Sequence, residues 1–158
     1  RAAATPEARG VVFLVTPAAA LAAGGSIDDA ERAVGAALET ANGHFARQPR
    51  PVRFASHGVV LVPHEDARDH VRSVFGRLAG EGGRHPLARA ASGVRAGTGA
   101  HHVCVLIGPG GHGRDHGYAA VADDPARPES LSVVRVQELR HGDGTLAHEL
   151  AHILGWEH

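Results

Sequence analysis

Residues 145–158, T-L-A-H-E-L-A-H-I-L-G-W-E-H, hold the side chains best suited to chemistry. His148, Glu149 and His152 form H-E-x-x-H, and Gly155 with His158 extends it to H-E-x-x-H-x-x-G-x-x-H. On a helix, His148 and His152 lie about 40° apart and one turn along the axis, so both imidazoles reach one ion. Glu149 falls on the flank, close to that ion but angled away from ligating it. Leu146, Leu150, Ile153 and Leu154 gather on the opposite face and give the helix a core side. A residue six beyond His152 would point about 240° away if the helix ran on, so the chain has to turn before His158 can join. Gly155 is the place for that turn, because glycine enters the left-handed region without a Cβ penalty. Three His nitrogens then hold Zn2+ and leave a fourth position for water, the arrangement of a catalytic zinc site.

By composition, H-E-x-x-H alone would occur by chance in roughly 6% of chains this rich in His; the longer pattern lowers that to roughly 0.06%. The bland alternatives are a surface helix that carries histidines and a metal site without catalysis. Elsewhere the chemistry-bearing residues are thinner. His112, Asp115 and His116 share the Gly-rich loop G-P-G-G-H-G-R-D-H-G, residues 108–117, and are candidates for a second metal site against the plainer reading of a solvated loop. The loop lacks G-K-[ST] and so is no phosphate cradle. His101 and His102 read as ordinary strand-edge residues, Cys104 as a buried packing thiol, and the Arg scatter, Arg95 included, as solvated surface.

The elements that must position this helix follow from periodicity. Residues 1–10 read as a loose tail. Val11–Val15 is an apolar strand, and a small-residue loop follows. Ser26 caps a helix with an acidic first turn that runs to about Phe45. Residues 52–63 form a second strand, bulged at Gly58, and 65–80 a second helix. Residues 80–100, rich in Gly, Ala and Arg, read as a loop or an irregular helix. Residues 101–107, 118–122 and 131–139 read as three more strands. The order β-α-β-α-β-β-β-α predicts an α/β (α+β) layer: a mixed sheet of about five strands, two long helices, and a zinc motif on the helix of the second half.

Composition narrows the partners. The chain has 158 residues, 43% hydrophobic, with 16 basic and 17 acidic residues, so electrostatics favour neither nucleic acid nor an anionic membrane. All the basic residues are Arg, Met is absent, and 13 are His. Few aromatics argue against base stacking, one Cys excludes an internal disulfide and a Cys-based zinc set, and no apolar run approaches the ~20 residues of a membrane span. Composition leaves the oligomeric state open.

H-E-L-A-H-I-L-G-W-E-H resembles the zinc signature of the metzincin metallopeptidases. The wider layout is similar to their reprolysin (adamalysin-like) branch, over about 11–158, with G-Y-A-A-V-A and S-V-V-R-V before the zinc helix. The resemblance implies zinc on His148, His152 and His158, Glu149 as general base, and an extracytoplasmic or secreted location. It also implies that the strand of Gly117, Tyr118, Ala119, Ala120 and Val121 lies at the cleft edge and pairs antiparallel with a peptide substrate. Matrixins carry a structural zinc in a loop comparable to that of His112, Asp115 and His116. Tyr118 lies far from the usual metzincin tyrosine. The chain reaches only His158, so the expectation is an upper subdomain, without the lower subdomain and its Met-turn. The leading expectation is a zinc endopeptidase acting on protein or peptide; the alternatives are a non-catalytic zinc-stabilised binding domain and an inactive fragment.

Overall fold

The computed structural model describes residues 4–64, 70–79, 84–109, 115–119, 130–139 and 144–156. Among the described residues the elements are β1 (Glu7–Val15), α1 (Pro17–Ala23), α2 (Ile27–Phe45), β2 (Val52–Leu61), α3 (Val71–Ala79), α4 (Pro86–Thr98), β3 (His102–Ile107), β4 (Gly117–Ala119), β5 (Ser130–Arg135) and α5 (Thr145–Ile153). The sheet order is β2-β1-β3-β5-β4. The first four strands run parallel, and β4 pairs antiparallel with β5 at one edge. This is the mixed five-stranded α/β sheet the sequence predicts.

Helices cover both faces, which is why Val11–Val15 is fully buried without alternation. Val11, Phe13 and Val15 face a core shared with α2 and α5, where Leu146, Leu150, Ile153 and Leu154 are buried as the helix pattern requires. Val12 and Leu14 face the core under α3 and α4. Ser26 caps α2 by accepting a hydrogen bond from the Asp29 N–H at 3.1 Å. The β2 bulge lies at Gly58: Val11 pairs with Ser56 and Val12 with Gly58, whose φ is 135°. Asn42 of α2 bonds both the N–H and the C=O of Phe54, each at 2.8 Å, and ties the helix to β2. No helix among the described residues is long and apolar enough to cross a membrane.

Three expectations need correction, and one open reading, that of residues 80–100, is resolved. Glu7–Gly10 belong to β1, not to a tail, because they pair with Val52–Ala55. The small-residue stretch after Val15 is helical: Thr16 accepts from the Ala19 N–H and Pro17 opens the helix. Residues 86–98 form α4, capped by His85 at one end and by Gly99 in the left-handed region at the other. Val136–Leu139 is a 3₁₀ turn, since β3 ends at Ile107 opposite Arg135 and offers no further ladder partner. The expectations for residues 65–69, 80, 120–122 and 123–129 fall outside the described residues.

Candidate active site

Helix α5 carries the H-E-x-x-H residues, and its C-terminus is built as the sequence requires. Gly155 has φ 82°. Its N–H donates to the His152 carbonyl at 2.9 Å and the Trp156 N–H donates to the Ala151 carbonyl at 3.0 Å, the paired bonds of a Schellman turn. That turn swings the Trp156 carbonyl back over the helix end, where it accepts a hydrogen bond from His152 Nδ1 at 2.9 Å. With Nδ1 donating, His152 keeps the lone pair on Nε2, the tautomer a metal ligand needs. The Trp156 ring meets Phe45 edge-on at 5.5 Å, so the turn is anchored to α2.

His148 and His152 meet side by side, ring centroids 4.6 Å apart and nearly perpendicular. Their Nε2 atoms are 3.1 Å apart. An ion at the usual ~2 Å from both nitrogens would see them at about 100°, close to a tetrahedral angle, so the pair fits zinc. His148 is exposed and His152 buried. His158, the third ligand of the sequence reading, lies outside the described residues, which hold no group of three or more candidate metal ligands.

Glu149 is buried beside this pair. Burial pushes its carboxyl up to about 7; a backbone hydrogen bond from Ala119 pulls it down and the Asp115 charge raises it further. Gly117 lies so close that an added Cβ would stand 2.8 Å from Glu149 Oε1 and 2.9 Å from Cγ. Asp115, His116, Gly117, Gly144, Thr145, His148 and Glu149 line one cleft of about 420 Å³. The edge strand, the base candidate and the exposed candidate ligand His148 therefore share one cavity. Ala120 and Val121 of the proposed docking strand lie outside the described residues.

Two residues of the second metal candidate, Asp115 and His116, bond other side chains. Asp115 bonds Arg72 at 2.9 Å, and His116 Nδ1 donates to the buried Glu138 carboxylate at 2.7 Å. His112 lies outside the described residues. The Tyr118 side chain points to the other side of the sheet, against Phe75 at 4.8 Å and beneath Arg72. Sequence reading passed over Arg135 and Glu138. Arg135 is buried and bonds the Gly108 carbonyl at 3.0 Å and the Asp115 carbonyl at 3.3 Å, tying the ends of the loop together. Their signal was charge inside the apolar run V-V-R-V-Q-E-L. His102 is fully buried rather than an edge residue. It bonds Ser130 through Nδ1, packs on Phe54, and its Nε2 has no partner among the described residues. Cys104 is buried, as expected, and its thiol is pushed up to about 12.

No family model and no curated protein matches this chain. In fold, 58 solved chains match. One, from "Structure of a chaperone-substrate complex", superposes with a TM-score of 0.73 at 12% identity, over 97% of this chain and 27% of its own length. This chain thus spans about a quarter of that one, and the likeness is one of fold.

Proposed function

We propose that the chain forms the zinc-binding part of a metallo-endopeptidase, similar to the metzincins, that hydrolyses peptide bonds in an extended protein or peptide. The observation that carries this reading is the meeting of two Nε2 atoms 3.1 Å apart with the buried Glu149 and an antiparallel edge strand in one cleft. His148 and His152 hold the ion, with His158 as third ligand, and the Trp156 carbonyl keeps the His152 ring in register. When bound, zinc supplies Lewis acidity toward a carbonyl and toward water. Glu149 accepts the proton of the attacking water and returns it to the leaving amine. Strand β4 pairs with the substrate backbone and sets the scissile carbonyl beside α5. The reading goes with an extracytoplasmic location.

The test separates ligand from base. Glu149→Gln keeps size and burial but cannot take the proton, so zinc content stays at wild type while hydrolysis of a quenched fluorescent peptide is lost. His152→Ala loses both. Undiminished cleavage by the Glu149→Gln protein would remove the general-base role; a wild-type protein that binds no zinc would remove the whole reading.

A further inference from the structure

The backbone of β4 has two sides with different partners. The Arg135 N–H donates to the His116 carbonyl at 3.0 Å, and the register pairs Tyr118 with Val133. Alternate residues of an antiparallel strand aim their N–H and C=O in opposite directions. His116 and Tyr118 therefore bond β5, while Gly117 and Ala119 turn their backbone groups away from β5, to the side where no strand pairs among the described residues and a docking chain would pair. Glu149 already sits at that edge. Its carboxylate takes a hydrogen bond from the Ala119 backbone. It also packs so tightly on Gly117 that a Cβ there would approach Oε1, Cγ and Cδ to 2.8, 2.9 and 3.1 Å.

We propose that the Ala119 N–H is held in turn by Glu149 and by the incoming chain: in the free protein it parks Glu149 against β4, and an extended chain that pairs with β4 takes the N–H and releases Glu149 into the cleft. This rests on the reading of β4 as the docking strand. Ala119 and Gly117 are then positioning residues, the first as donor and the second as the space the carboxylate occupies. Docking and release of the base become one event. A chain too short to reach Ala119 leaves Glu149 parked, which guards against hydrolysis of short fragments. In the free protein Glu149 acts as an internal competitor for the docking edge, and a bound state must outcompete it.

The test uses metal-free protein, so cleavage plays no part. A fluorescein-labelled hexapeptide, Ala-Val-Thr-Leu-Ala-Val, is titrated by anisotropy against wild type, Glu149→Ala, Ala119→Pro and the double variant. Glu149→Ala should bind about ten-fold tighter or more, the range of a hydrogen bond to a charged acceptor. Proline is tolerated where an edge N–H faces outward, so Ala119→Pro should fold, bind more weakly, and abolish the gain from Glu149→Ala in the double variant. Amide exchange supplies a readout on the free protein: the Ala119 N–H is protected in wild type and fast in Glu149→Ala. Equal peptide affinity of wild type and Glu149→Ala, or equally fast exchange at Ala119 in both, overturns this inference and leaves the docking strand standing. Failure of all four proteins to bind the peptide overturns the docking strand and the inference with it.

Discussion

Two buried titratable groups pull the acid stability of this protein in opposite directions, and removing one should expose the other. His102 is buried against Phe54 and Ser130, and its pKa is lowered from the usual 6.5 to about 3, first by burial and then by the positive charges of Arg9, His101 and Arg95. The unfolded chain therefore binds a proton at His102 that the folded one refuses. The stability present above pH 6.5 is lost as pH falls toward 3, at about 1.4 kcal/mol per pH unit. Between pH 6.5 and 4.5 that is about 2 kcal/mol, because the unfolded imidazole is already half protonated at 6.5. Glu149 works the other way. Its pKa is raised from 4.5 to about 7, so the folded state binds the extra proton and gains stability as pH falls from 7 to 4.5. One flank of the carboxylate meets the open cleft, and solvent screening reduces this gain to about 1 kcal/mol between pH 6.5 and 4.5. Urea unfolding of metal-free wild type should accordingly change by only about 1 kcal/mol from pH 6.5 to 4.5. Glu149→Gln removes the compensating group, and its stability should fall by about 2 kcal/mol over the same range. In Glu149→Gln/His102→Leu the profile should be flat again. A Glu149→Gln protein as stable at pH 4.5 as at 6.5 would show that His102 is not held neutral by burial, and the reasoning would fail.

Three further substitutions test the local geometry. Gly117→Ala places a Cβ 2.8 Å from Glu149 Oε1 and must displace the carboxylate; zinc content should be unchanged while kcat/KM on a peptide falls about 100-fold, the usual scale for a 1 Å misplacement. Gly155→Ala forces a Cβ onto a residue with φ 82°; it should cost about 1–2 kcal/mol in urea and, by loosening the Trp156 carbonyl from His152, weaken zinc binding ten-fold or more in a chelator competition. Asn42→Ala strands both backbone groups of Phe54 and should cost about 2–3 kcal/mol by the same unfolding measurement, with zinc affinity unaffected.

Local signals carried the helix of the H-E-x-x-H motif. The His spacing, the Leu and Ile face and the Gly155 turn follow from helix geometry over a few residues, and the structure places each accordingly. The same holds for the Ser26 cap and the bulge at Gly58. Helices α1 and α4 were hidden because Ala- and Gly-rich stretches have little apolar period, although Thr16-Pro17 and His85-Pro86 with Gly99 carried start and stop signals. Tertiary structure alone decided which strand became the edge, because neighbours in a sheet are set by packing over long sequence separations. It also decided that His102, polar by type, lies at the centre of the sheet. Arg135 and Glu138, which read as strand residues, became the buried partners that hold Asp115 and His116. The contact of Glu149 with Gly117 and Ala119 joins residues about thirty apart, and no spacing rule reaches that far. The sequence determined which residues can do chemistry. Only the fold decided which backbone stands beside them, because that depends on how β4 meets α5 across the sheet edge.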